Sequence, residues 1–187
     1  MGPAMPRPRS SRSRPGSGAG GRRPATPRPF PGQLAVRVAP KATRRVQAAL
    51  QALGHVEPYE PARMLILHKG PKVADATVKS VVESLLRDGL VQDVTPVLRD
   101  PRSGLRLIPT DEITVRFRPE APVQGTLTDM RRTEGVSVAR RNEFTPSQYV
   151  LRVPQPSGKR TLDIARRLEA RADVEFAAPN YISDIKR

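Results

Sequence analysis

Leu34-Ala35-Val36-Arg37-Val38-Ala39-Pro40 returns 79 residues later as Ile113-Thr114-Val115-Arg116-Phe117-Arg118-Pro119. In both stretches apolar residues alternate with polar or small ones, which is the period of a half-buried strand, and a proline closes the run. Toward the end of each copy, Val91 and Pro96 reappear as Val174 and Pro179, 83 residues on. A chain that opens and closes on the same strand signals twice reads as two tandem units of one architecture, each of about 70 residues.

Between those strands the punctuation is also shared. In the first copy Val46, Ala49, Leu50 and Leu53 recur at helical spacing, and Gly54 stands where a left-handed residue would end the helix. His55–Glu60 reads as a short strand and Met64-Leu65-Ile66-Leu67 as a buried one. Asp75 is placed to cap a second helix carrying Val78, Val81, Val82 and Leu85, closed by Gly89. Leu90–Leu98 is the last strand, and Pro96 inside it argues for a sheet edge or strand end. In the second copy a poorer helix covers Val123–Thr133, with Leu127 and Met130 inward and Gly135 at its end. Val136–Arg140 and Gln148–Val153 are strands, Thr161 is placed to cap a helix with Leu162, Ala165 and Leu168, and Asp173–Phe176 leads out. Val97–Leu107, turning at Asp100-Pro101-Arg102-Ser103-Gly104, is a hairpin that joins the copies.

Each copy therefore reads β-α-β-β-α-β. The favoured packing for that order is a four-stranded antiparallel sheet with both helices on one face, the ferredoxin-like split βαβ. The expected fold class is α+β, with two tandem ferredoxin-like domains. Residues 1–32 form a disordered tail, 33–108 the first domain with its linking hairpin, and 109–187 the second domain.

The net charge of +15 is unevenly spread. Residues 1–30 contain Arg7, Arg9, Arg12, Arg14, Arg22, Arg23 and Arg28 with no acidic residue, and also seven prolines. Such a segment buries too little apolar surface to offset the entropy of ordering it, so disorder is expected. An arm of this kind can bind nucleic acid, and weak nucleic-acid binding is the alternative functional reading. No apolar run approaches the roughly 20 residues of a membrane span, and the first 30 residues lack the apolar stretch of a secretory signal. As written, the chain is expected in the cytosol, with no membrane partner.

Catalysis is not expected. With no cysteine, neither a thiol nucleophile nor a thiolate metal site can form. His55 and His68 each lie beside an expected strand end and read as surface imidazoles. No glycine-rich phosphate loop, metal-binding helix motif or paired-carboxylate site stands out, so no catalytic residue, metal or cofactor is assigned. Asp111 and Glu112 are neighbours at a strand entry and point to opposite faces, as solvated groups do. RNA recognition by a ferredoxin-like sheet needs stacking aromatics on the third strand, and Arg63-Met64-Leu65-Ile66-Leu67 has none. A tandem ligand-sensing pair would need a glycine-rich turn after the first strand, which is also missing.

The second copy resembles a more specific family. Glu112–Pro119, Tyr149-Val150-Leu151-Arg152-Val153, Leu162–Glu169 and Asp173-Val174-Glu175-Phe176-Ala177-Ala178-Pro179-Asn180-Tyr181 look like the N-terminal propeptide of subtilisin-like serine proteases, closest to the fervidolysin-like prodomain. The likeness runs over about Asp111–Tyr181, and the first copy is a looser match. The blocks that would carry the catalytic Asp, His and Ser of such a protease are not in the chain. The resemblance implies a propeptide-like protein that binds a separately encoded subtilisin-like protease, inhibiting it or assisting its folding. On that implication the outer sheet face, including Thr114, Arg116, Val150 and Arg152, packs on the protease. The tail Ala178, Pro179, Asn180, Tyr181, Ile182, Ser183, Asp184, Ile185, Lys186 and Arg187 then lies in the active-site cleft as an added strand.

Overall fold

The computed structural model describes residues 26–59 and 62–183. The arginine-rich segment up to residue 25, expected to be disordered, lies outside the described residues, as do Asp184, Ile185, Lys186 and Arg187 of the expected tail. The chain runs β1 (Arg28–Val38), α1 (Thr43–Gln51), β2 (Gly54–Tyr59), β3 (Met64–Lys69), α2 (Asp75–Arg87) and β4 (Val91–Arg99). The second half follows as β5 (Arg106–Phe117), α3 (Val123–Glu134), β6 (Ser137–Arg141), β7 (Gln148–Arg152), α4 (Gly158–Glu169) and β8 (Val174–Ser183). The element order expected from periodicity is present in both halves, in an α+β chain with antiparallel strand pairing throughout.

The sheet differs from the expectation of two separate four-stranded sheets. Among the described residues the eight strands form one sheet, ordered β2-β3-β1-β4-β5-β7-β6 with β8 on the second flank of β5. The joint is the hairpin between the copies. Leu98 pairs with Leu107 and Arg99 with Arg106. Asp100 builds the turn by accepting hydrogen bonds from Arg102 N–H at 2.9 Å and the Ser103 hydroxyl at 2.6 Å. The hairpin thus joins the two halves into one sheet through a two-pair ladder at its base.

The first strand also begins earlier than expected, at Arg28 rather than near Gln33. It does so through a bulge: Pro29 pairs with Leu98 and Leu34 with Pro96, so β1 carries three more residues than β4 across the interruption. β5 repeats the device, since Pro109 pairs with Tyr181 and Ile113 with Pro179. Pro96 and Pro179, aligned in the sequence repeat, thus take the same place, opposite the first core residue after a bulge. A residue without N–H is tolerated where the ladder is already broken.

Three clusters of buried side chains hold the molecule. Val36, Leu65, Leu67 and Val91 pack beneath Val46 and Leu50 of α1 and Val78, Val82 and Leu85 of α2. Ile113, Val115, Phe117, Tyr149 and Leu151 pack beneath Met130 of α3 and Ile164, Ala165 and Leu168 of α4. A third cluster lies on the opposite face of the first half, where Ala35, Tyr59, Met64, Ile66 and Val97 meet Ile108 of β5, with Phe30 and Ile182 packed against them.

Several helix ends depart from expectation. α1 stops at Gln51 with Ala52 as C-cap, and Gly54 instead opens β2. Glycine is required there because a Cβ would lie 2.1 Å from the His68 carbonyl oxygen. Asp75 is the first residue of α2, behind an Ala74 N-cap, and pairs with Lys69 instead of capping. Gly89 does close α2: at φ 67° it lets Leu90 N–H donate to Leu85 O and its own N–H donate to Leu86 O, a Schellman ending. Thr161 is not a cap but a fully buried residue inside α4, and Ile164 takes the core position expected of Leu162. The N-cap of α4 is Ser157, which makes no capping bond of its own. Asp93 of β4 supplies one from the other half, accepting from the Ser157 hydroxyl and, at 2.8 Å, from Gly158 N–H.

Candidate functional site

The outer face of the second half, opposite α3 and α4, is set by the period of two in its strands. Ile113, Val115 and Phe117 point into the core, so Glu112, Thr114 and Arg116 point out. Antiparallel register then lines up their neighbours: Glu112 stands beside Arg152, Thr114 beside Val150, and Arg116 beside Gln148. On the other flank Thr114 stands beside Ala178 and Arg116 beside Phe176. The four residues expected on a docking face, Thr114, Arg116, Val150 and Arg152, are therefore brought together as cross-strand neighbours.

Glu112 organises the middle of this face. Its carboxylate accepts two hydrogen bonds from Arg140, at 3.1 and 3.0 Å, one from Arg152 at 3.4 Å and one from Asn180 Nδ2 at 3.2 Å. Asn180 in turn accepts from the Thr114 hydroxyl at 2.7 Å. Burial alone would push the Glu112 carboxyl up, but Arg140, Asn180 and Arg152 together hold it below the ordinary range. An ionised carboxylate engaged from three sides is an acceptor that fixes four strands together, not a proton donor. Toward the end of β5, the Arg116 guanidinium lies 5.2 Å from the Phe176 ring centre and its Nη1 is 3.5 Å from Glu175. Val150 is nearly covered, whereas Arg152 and Arg140 are mostly open to solvent.

Arg140 and Phe176 are not singled out by the sequence, and Glu112, expected as a solvated group, is instead only 17% exposed and held by Arg140, Arg152 and Asn180. The signal for Glu112 and Phe176 was present: each lies two residues, or one cross-strand step, from a residue already placed on this face. Arg140 carries no such signal, because a register shift between Val138 and Arg140 decides which way it points.

The expected tail is placed differently from a free end. Ala178, Pro179, Asn180, Tyr181, Ile182 and Ser183 all belong to β8 and pair with β5, with Tyr181 opposite Pro109, Ile182 opposite Ile108 and Ser183 opposite Leu107. Ile182 packs against the third cluster, on the first half. β5 begins at Arg106, well before the core strand, and its early residues offer β8 a ladder to continue along. None of Pro179, Asn180 and Tyr181 is deeply buried. Among the described residues β8 pairs with β5 alone, and no strand lies beside its second edge.

The histidines lie away from this face. His55 and His68 are directly opposite on β2 and β3, ring centres 5.6 Å apart, and His68 Nε2 is 3.3 Å from Glu57. Glu57 also pairs with Arg106. Among the described residues no group of three or more His, Asp or Glu could hold a metal ion, and no helix is long and apolar enough to cross a membrane. No protein-family model matches the chain, and no curated protein matches it.

Proposed function

We propose that the chain is a propeptide-like protein that binds a subtilisin-like serine protease, without being an enzyme itself. The outer face of the second half meets the protease, and the chain end beyond β8 reaches toward its active-site cleft. Inhibition of a mature enzyme and assistance to a folding one are two results of that single contact. We read the frame as tandem ferredoxin-like units: the orders β4-β1-β3-β2 and β8-β5-β7-β6 are both those of a split βαβ, here fused through the β4–β5 hairpin.

One observation carries this reading. Thr114, Arg116, Val150 and Arg152 form one contiguous plate with the helices all on its far side, stiffened by the Glu112 network. A rigid plate loses little side-chain entropy when it docks, which favours a protein partner. The first half has no equivalent plate, because its outer face is already covered by Ile108, Ile182 and Phe30. The second half is accordingly the docking unit, at one protease per chain.

The test is direct: the purified chain is titrated against a panel of subtilisin-like proteases, and residual activity and complex formation are both measured. A one-to-one complex with at least one protease, weakened by Arg152→Glu, supports the reading. Failure to bind any of them overturns it.

A further inference from the structure

We propose that Phe144, at the tip of the β6–β7 hairpin, is an aromatic anchor that fills an apolar pocket on the bound protease, away from the active-site cleft. The inference rests on the protease-binding reading and adds to it a residue that decides which proteases the chain accepts.

Phe144 is 95% exposed, and among the described residues the only other large apolar side chain so open is Val138, at 49%, on the same hairpin. Single apolar groups on a surface are ordinary, but an aromatic ring held in water by a braced loop is not. Asn142 sets the loop: its Oδ1 accepts from Phe144 N–H at 2.9 Å and from Thr145 N–H at 3.2 Å, an Asx turn. Asn142 N–H donates to Gln148 O, and Gln148 N–H to Thr145 O, both at 2.9 Å. Arg141 Nε donates to Pro146 O at 3.1 Å, and Phe117 N–H ties the loop to β5 through Ser147 O at 2.9 Å. None of these bonds involves the ring. The loop therefore presents Phe144 preformed, so docking it loses little conformational entropy and leaves these backbone groups paired.

Its place in the sheet says what it meets. β7 leaves the loop at Gln148, which stands beside Arg116, and Arg116 stands beside Phe176. The tip therefore lies at the Arg116 end of the docking face. Ser183, from which the chain end leaves, is opposite Leu107 at the other end of β5. A partner that covers Thr114, Arg116, Val150 and Arg152 thus meets Phe144 at the margin farthest from its own cleft. The charge at the tip selects a protein. Arg140 is held by Glu112 and Arg141 bonds Pro146, whereas the exposed Glu143 makes no ion pair among the described residues. A carboxylate beside the ring disfavours the phosphates of an anionic lipid surface or a nucleic acid. It suits an apolar pocket with a neutral or cationic rim, and aromatic side chains are enriched in protein–protein contacts of that kind.

The experiment measures the affinity of the full chain for each protease of the panel that forms the one-to-one complex. The protease carries alanine in place of its catalytic serine, so that the exposed loop is not cut. Phe144→Ala is expected to weaken binding at least tenfold, and Phe144→Leu, which keeps an apolar group at the tip, less than threefold. The melting midpoint of the free Phe144→Ala chain is expected to be unchanged, because the ring is almost wholly in solvent. An unchanged affinity in Phe144→Ala, or a lowered midpoint that gives the ring a role in its own fold, would overturn the anchor and leave the docking face standing. Failure of the unaltered chain to bind any protease would overturn both.

Discussion

Arg106 of β5 is ion-paired with Glu57 of β2, although β3, β1 and β4 stand between those two strands in the order of the sheet. Four interstrand spacings of about 4.8 Å put such strands about 19 Å apart in a flat sheet, beyond the reach of any side chain. The sheet therefore curls until the start of β5 lies over the outer face of the first half. The third apolar cluster is what that curl buries: Ile66 and Val97 on one side, Ile108 and Ile182 on the other.

The pair itself should contribute modestly. Both side chains are under one-third exposed, and a double-mutant cycle of Arg106→Ala and Glu57→Ala is expected to give a coupling of about 0.5–1 kcal/mol by urea unfolding. A coupling near zero would mean that the apolar cluster alone holds the curl.

Acid should loosen the sheet in a defined direction. At Glu57 burial pushes the carboxyl up, but Arg106 and His68 outweigh it and hold it below the usual range, as Arg140 does at Glu112. A lowered folded-state value means that the stabilisation is complete above the ordinary glutamate value of about 4.3 and is lost as pH falls through the folded value. Thermal midpoints should hold steady from pH 7 to about pH 5 and fall below it. In Glu57→Gln/Glu112→Gln the fall should be shallower.

The two halves should melt together. Ile108 is 1% exposed and belongs to β5, yet the buried residues it clusters with, among them Tyr59, Ile66 and Val97, are first-half residues. Ile108→Ala is expected to cost about 2–5 kcal/mol while keeping a single unfolding transition. Two separated transitions in the unaltered chain would show that the third cluster does not couple the halves.

Asp93 should matter to a helix 65 residues away. It is 5% exposed and accepts from both Ser157 and Gly158 at the start of α4. Asp93→Ala leaves those donors buried without an acceptor, at an expected cost of about 1–3 kcal/mol. Hydrogen exchange should quicken in the first turn of α4 before it does in α3.

Two glycines should respond oppositely in size. Gly54→Ala drives a methyl into the His68 carbonyl at 2.1 Å and the Gly70 nitrogen at 2.7 Å, both backbone. The expected loss is at the upper end of the 1–3 kcal/mol seen for overpacking. Gly89→Ala meets nothing within 4 Å and is strained only by its φ of 67°, so about 1 kcal/mol is expected. Comparable losses from denaturant melts would contradict the placement of Gly54.

For the protease contact, removal of Ser183–Arg187 is expected to raise the inhibition constant at least tenfold, equivalent to about 1.4 kcal/mol. An unchanged constant would take the chain end out of the mechanism and leave the plate around Glu112 as the whole interface.

The sequence by itself determined the elements and their order, because the causes are local. The alternation of Ile113, Val115 and Phe117, the spacing of Val78, Val82 and Leu85, and the left-handed stops at Gly89 and Gly135 act within a few residues. The same periodicity put Thr114, Arg116, Val150 and Arg152 on one face. Tertiary structure alone decided where Asp93, Glu57 and Ile182 find their partners, which lie 64, 49 and 74 residues away in Ser157, Arg106 and Ile108. It also turned two expected sheets into one, and an expected free tail into a paired strand. The physical reason is that a strand's hydrogen-bonding edge carries no side-chain code. Any ladder long enough can continue, and only the curl that buries Ile108 and Ile182 selects which strand it continues along.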